Sequence, residues 1–270
     1  MKRGTAAAKI NLALVVGPRR ADGKHELLTV FQRIALADRV EVRRATETSV
    51  TGFADDTIVR RALDELAGDG DGRLAARIEK RIPVAAGLGG GSADAAAALK
   101  LGNELLSARV PEPHLDAIAA RLGADVPFFL RDGPQLGSDD GTTLEPLELP
   151  QDYWVVLVVP RDATKSSTGD MYARFDGRGG ADGFEARRDA LLRALERVRR
   201  PRDLSALPPN DLCSSPVAEE LRALGALRAD VTGAGPAVYG LFLHRSAAQE
   251  ARSRLARRGR TWLTAPAWYV

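Results

Sequence analysis

The sequence predicts an α+β protein made of two α/β sandwiches. Strand-like and helix-like segments interleave in both halves, and a polar stretch with two prolines, "EPLELPQD" at 145–152, separates them. A glycine-rich loop joins a strand to a helix within the first half. The expected boundaries are 1–150 and 151–270, and 270 residues provide ample material for a core.

In chain order, Ile10, Leu12, Leu14 and Val16 alternate with Lys9, Asn11 and Ala13, which predicts a half-buried strand with two polar groups off the core. A turn follows at "GPRRADGKH", then two strands near 28–34 and 39–43. A helix is expected near 56–66 and a strand at 74–82, leading into the glycine loop. The helix after the loop should run from about 92 to 106. In the next helix Leu115, Ile118 and Leu122 share a face, and Gly123 stands at the C-cap position. "GADVPFFLRDG" reads as a loop into a short buried strand. The second half opens with the buried strand "YWVVLVVP". A helix at 184–199 has Leu191, Leu192, Leu195 and Val198 on one face. Another starts after Ser215 with Pro216 in its first turn, and strands are expected at 229–231 and 238–243. Ser246 and Gln249 have the spacing of a capping box for the last helix.

Composition excludes several classes. Hydrophobic content is 44% and charged content 28%, both ordinary for a globular chain. A net charge of +3 is too small to argue for nucleic acid, and the clusters "RVRRPR" and "ARRGR" read as solvated helix ends. No apolar run is long enough for a membrane span, and Lys9 and Asn11 interrupt the only signal-like segment, which is read as mature chain. One cysteine, Cys213, allows no internal disulfide and fits a reducing cytoplasm. With three histidines beside it, no metal site is expected.

The most informative stretch is "RIPVAAGLGGGSADAAAAL", residues 81–99, with four glycines in five positions. Strand, glycine loop and helix N-terminus together make an anion site, because the first helical amides are unpaired and the dipole adds positive charge. The alanine run favours a rigid helix behind the loop. The plainer reading is a flexible linker, which Pro83 and the buried-looking strand before it disfavour. The loop is not a Walker loop, since no lysine follows its last glycine, and a dinucleotide fold would carry its glycines near the first strand.

"PVAAGLGGGSADAAAAL" resembles the second motif of the GHMP kinase superfamily, named for galactokinase, homoserine kinase, mevalonate kinase and phosphomevalonate kinase. "AAAKINLAL" resembles its first motif and "VTGAGPAVYGLF" its third. Within the superfamily, "AKINLAL", "RADGKHELLTVFQ", "GLGGGSADAA", "GADVPFF" and "PNDL" resemble, in order, the pattern of the 4-diphosphocytidyl-2-C-methyl-D-erythritol kinases. The resemblance implies a two-domain fold with its active site in the cleft, and phosphoryl transfer from ATP with Mg²⁺ to a hydroxyl of a cytidine diphosphate-linked methylerythritol. It implies a cytoplasmic monomer or homodimer without nucleic-acid or membrane partners.

Residue roles follow from the same resemblance. Pro83, Val84, Ala85, Ala86, Gly87, Leu88, Gly89, Gly90, Gly91, Ser92 and Ala93 would wrap the ATP phosphates, with Ser92 near Mg²⁺. Lys80 matches a nucleotide-contacting lysine, and Asp56 stands where an asparagine near the adenine is usual. Lys9 and Asp125 match the catalytic pair. Their chemistry is reasonable unaided: a carboxylate can orient and deprotonate a hydroxyl, and an ammonium can hold it ionised and offset phosphoryl charge. Asn11, His25, Thr168, Tyr172, Thr232 and Gly233 fall at acceptor-side positions. Two departures stand out. Lys24 replaces a tyrosine expected to stack on the pyrimidine, and in 136–147 the pattern has a glycine where Asp139 stands and a glycine-glutamate pair near Gly141 and Thr142, so Asp139 and Asp140 add negative charge. The competing readings are another small-molecule kinase of the superfamily, of homoserine or mevalonate type, and an RNA-binding module, which 5% aromatic content serves poorly.

Overall fold

The computed structural model describes residues 1–53, 57–68, 72–162 and 167–267. Its first half is a six-stranded sheet covered on one face by helices. Strands β1 (Lys2–Arg19) and β2 (His25–Ala45) form one long antiparallel hairpin. β3 (Ser49–Thr51), helix α1 (Thr57–Ala67) and β4 (Arg73–Glu79) follow, with β3 parallel to β4 and β4 antiparallel to β2. Three helices come next: α2 (Gly90–Asn103), α3 (Glu112–Leu122) and α4 (Val126–Leu130). Strands β5 (Gln135–Ser138) and β6 (Thr143–Pro146) extend the sheet from the free edge of β2.

The second half carries a four-stranded antiparallel sheet in the order β10-β7-β9-β8. Its elements are β7 (Trp154–Pro160), α5 (Thr168–Gly177), α6 (Phe184–Leu195), a 3₁₀ turn (Pro201–Ala206), α7 (Pro216–Ala223), β8 (Arg228–Val231), β9 (Val238–Phe242), α8 (Arg245–Leu255) and β10 (Gly259–Thr264). The α+β class and the two sandwiches are as the sequence predicts.

Three cores explain the layering. Val40, Val42, Leu74 and Ile78 of the first sheet pack under Leu63, Leu99, Ile118 and Phe128 of its helices. Ile10, Leu12 and Val30 pack against Val155, Leu157, Tyr239 and Leu241 of the second sheet. Val156, Val158, Val238 and Phe242 pack against Leu221 of α7 and Leu255 of α8. The run "WVVLVV" is therefore apolar throughout because alternate residues of β7 serve different cores.

Several local expectations are corrected. The alternation in β1 breaks at a register shift between Asn11 and Ala13. Ala13 and Val15 join Ile10 and Leu12 in the inter-sheet core, while Leu14 and Val16 turn to the opposite face with Phe175 and Leu212. The strands expected at 28–34 and 39–43 are one strand. "VPFFL" is the helix α4, not a strand. Pro127 suits a first helical turn, and both phenylalanines are buried against different neighbours. So short an apolar run carries no period to decide the matter. Gly123 caps α3 in extended backbone at φ 166° rather than in the left-handed form. α6 ends at Leu195, leaving Leu192 exposed and Val198 buried beyond the helix. α8 is preceded by His244 as its N-cap, with no side-chain cap, so Ser246 and Gln249 form no capping box. A capping box does occur at the start of α5, Ser167 with Asp170, in a segment with no predicted helix.

Leu99 of α2 is fully buried in the first core. Leu99→Ala is expected to lower unfolding free energy by about 2–5 kcal/mol, read from the urea midpoint at unchanged m-value.

Candidate active site

The glycine loop, residues 83–89, leaves β4 and enters α2 directly. Ala85, Gly87 and Gly89 are all left-handed, at φ 55°, 80° and 67°. A Cβ on Gly87 would stand 2.3 Å from the Thr232 carbonyl oxygen, and one on Gly89 would stand 2.9 Å from the Phe129 ring. At these two positions glycine is required by the packing of the loop itself. The N-cap of α2, Gly89, offers no side-chain hydrogen bond, and the first turn holds no acidic residue. The helix therefore presents free amides and a positive pole, with Gly89 and Ser92 on the wall of a cavity.

Beneath the loop Lys80 donates to Asp38 at 2.6 Å and to Asp94 at 2.7 Å, both carboxylates being fully buried. Burial opposes its charge, but the two aspartates outweigh it and raise its pKa. The free oxygen of Asp38 accepts from the backbone amides of Arg81, at 2.5 Å, and Ile82, at 2.8 Å. Lys80, expected against the nucleotide, is placed under the loop and off the cavity wall, where it anchors the loop's base. Asp56 lies outside the described residues.

Lys9 and Asp125 arrive from different elements. Lys9 sits on β1, only 5% exposed, with its ammonium 3.5 Å from the Asp125 carboxylate, which is 35% exposed. The ammonium also donates to Asn11 Oδ1 at 2.7 Å and lies over the Phe31 ring. Asp125 is the residue before α4, whose last carbonyls receive the buried guanidinium of Arg33. Asn11 is pinned in turn. Its amide nitrogen donates to Thr29 Oγ1 at 2.8 Å, and its backbone N–H donates to Thr232 Oγ1 at 3.1 Å. The Thr232 hydroxyl lies within 3.2 Å of Asn11 Oδ1 and 3.3 Å of the Gly87 carbonyl. Behind Thr232, Asn210 of "PNDL" donates to the carbonyls of Val231 and Gly233 at 3.0 and 2.7 Å.

One cavity of about 920 Å³ collects Lys9, Asn11, His25, Ala85, Gly87, Gly89, Ser92, Asp125, Thr168, Tyr172 and Gly233. Pro83, Val84, Ala86, Leu88, Gly90, Gly91, Ala93 and the buried Thr232 stand behind or beside that wall. Away from the loop, the His25 ring stacks on Tyr172 with centroids 4.7 Å apart, and Nε2 lies 2.7 Å from Asp176 Oδ1. Burial, then the charge of Asp125, pushes the Tyr172 phenol up to about 12. The two departures noted in the sequence meet here. Lys24 and Asp140 form an ion pair of 2.5 Å, and Asp139 lies 3.6 Å from Arg20. The hydrogen bond and charge of Asp140 raise the Lys24 pKa. The added carboxylates are thus matched by cations of the neighbouring hairpin. Sequence reasoning missed Asp176, which no motif marks.

Comparisons with known proteins identify the family. Residues 57–133 match the model of the GHMP kinases N terminal domain, and residues 214–261 that of the GHMP kinases C terminal. A 4-diphosphocytidyl-2-C-methyl-D-erythritol kinase of Geobacter sulfurreducens is 36% identical over 96% of both chains. One of Anaeromyxobacter dehalogenans is 38% identical over 91% of this chain and 82% of its own. The chain belongs to the 4-diphosphocytidyl-2-C-methyl-D-erythritol kinase family. A crystal structure of a 4-(cytidine 5'-diphospho)-2C-methyl-D-erythritol kinase superposes with a TM-score of 0.79 at 33% identity, covering 98% of this chain and 99% of that one. As a GHMP kinase it is an ATP-dependent small-molecule kinase. Among the described residues of this kinase no helix is long and apolar enough to cross a membrane, and no group of three metal-ligating side chains occurs.

Two outcomes follow for the kinase. Gly87→Ala forces a Cβ onto the Thr232 carbonyl, so kcat/KM for ATP is expected to fall at least tenfold with the far-ultraviolet circular dichroism unchanged. Lys24→Met, Asp140→Asn and the double variant are expected to show coupling of a few tenths to about 1 kcal/mol in urea unfolding, as befits a half-exposed pair.

Proposed function

We propose that this protein transfers the terminal phosphoryl group of ATP to a hydroxyl of 4-diphosphocytidyl-2-C-methyl-D-erythritol, in the non-mevalonate route to isoprenoid precursors. The observation that carries this reading is the Lys9–Asp125 pair at the junction of the glycine loop and the acceptor cavity. We assign residues 1–150 and 151–270 to its two domains, and a single cysteine in 270 residues suits work in a reducing cytoplasm.

The division of labour is as follows. The loop amides and the N-terminus of α2 hold the ATP phosphates, with Gly87 and Gly89 letting the loop close against Thr232 and Phe129. Ser92, on the cavity wall in the first turn of α2, would face Mg²⁺ bound with the nucleotide, and the ion would neutralise phosphate charge. Asp125 orients the attacking hydroxyl and takes its proton. Lys9, paired with Asp125 at 3.5 Å, balances negative charge as the phosphoryl group moves. Asn11 fixes the position of the Lys9 ammonium. His25, Tyr172 and Thr168 form the acceptor end, with Gly233 opposite the loop. Tyr172 offers a ring for the cytosine where Lys24 offers none.

ADP release with ATP, Mg²⁺ and the cytidyl acceptor tests the reading. The wild type is expected to turn over. Asp125→Ala and Lys9→Met should each lose on the order of a hundredfold or more in kcat, with a smaller change in KM for ATP. Turnover of homoserine or mevalonate in place of the cytidyl acceptor would overturn the proposal.

A further inference from the structure

The acceptor end of the cavity contains a carboxylate–imidazole pair that the phosphoryl chemistry does not use. Asp176 closes the last turns of α5, and its Oδ1 lies 2.7 Å from Nε2 of His25. The His25 side chain is 4% exposed, yet the residue lines the cavity. Its ring plane is held by the stacked Tyr172 ring and by Phe175, edge-on at 86° and 6.0 Å.

From this geometry we propose that Asp176 is a positioning residue which sets the hydrogen-bonding polarity of His25, so that the site selects a base bearing an amino group. The inference rests on the cytidyl-acceptor reading above. An ionised carboxylate only accepts hydrogen bonds, so the proton at this contact belongs to Nε2. In a neutral imidazole the other nitrogen, Nδ1, then carries a lone pair. No protein group among the described residues pairs with Nδ1, and it is not one of the sealed, unpaired polar atoms of the interior. The free lone pair is left to a ligand.

That polarity discriminates between pyrimidines. The 4-amino group of cytosine donates to a lone pair, whereas the 4-oxo group of uracil meets it with another. Without Asp176 the ring can hold its proton on either nitrogen, and the preference weakens. The bland account is that Asp176 merely ties α5 to β2. The two accounts differ in what the ring presents to a base.

Two measurements separate them. Imidazole ¹⁵N spectra of the wild type are expected to show His25 with its proton on Nε2, and Asp176→Ala should populate both tautomers. Steady-state kinetics should compare the cytidyl acceptor with its uridyl analogue. Asp176→Ala is expected to raise KM for the cytidyl acceptor about tenfold, to reduce the cytidyl-over-uridyl preference by a similar factor, and to move kcat and KM for ATP much less. Asp176→Asn keeps an acceptor oxygen and the tie to β2, and should recover part of the preference. A wild-type ring protonated on Nδ1 overturns the proposal. So does an unchanged base preference in Asp176→Ala when the tautomer has shifted. A wild type inactive on the cytidyl acceptor overturns instead the reading on which this inference rests, so the two failures are distinguishable.

Discussion

A single buried hydroxyl holds the candidate site together. Thr232 Oγ accepts the backbone N–H of Asn11 and has within reach the Asn11 side-chain oxygen and the Gly87 carbonyl. Those three residues belong to the N-terminal strand, the glycine loop and the turn after β8. None could leave the contact cheaply, because a buried polar group without a partner loses its full hydration energy. The position of Lys9 depends on the same contact, through Asn11, and so does the shape of the loop, through Gly87. Backbone bonds from Lys9 to Leu88 and from Ala237 to Ala86, each 3.0 Å, repeat the link on both sides. The functional geometry is thus a property of three distant segments meeting, and no one of them has it alone.

Much of this was legible in the sequence, but unevenly. The glycine loop announced itself because left-handed backbone and close approach leave a compositional trace. β7, β8, β9 and α7 were legible because their apolar spacing or capping residues are local signals. α4 was not, since five residues show no period and its last carbonyls are satisfied by Arg33 from a strand nearly a hundred residues earlier. The bulge in β1 was hidden for a related reason: Ala13 fits either face by size. The surroundings of Lys80 were equally hidden. Its charge is engaged by Asp38 and Asp94, and only the fold brings those two beside it. Asp176 had no sequence signal, because its meaning depends on His25, 151 positions away.

Charge at the acceptor end illustrates the same dependence. Counted along the chain, Asp139 and Asp140 look unsuited to a site for phosphorylated ligands. In space each faces a cation of the β1–β2 turn, and the Leu27 amide donates to the Asp139 carbonyl at 2.6 Å. The turn with Lys24 and the turn with Asp140 are therefore one structure, and the two unusual segments compensate one another.

The inter-sheet core has a mechanical meaning. Ile10 and Leu12 from the first sheet and Leu157 and Tyr239 from the second share one apolar interior. Main-chain bridges join Leu14 to Asn210 and Ile34 to Pro266 across the same seam. Opening the two halves like a clamshell would expose that interior to water, at a penalty proportional to its area. A ligand that reaches the cavity with this seam closed passes its rim, where the turn of the first hairpin, the β5–β6 turn and the start of α5 stand.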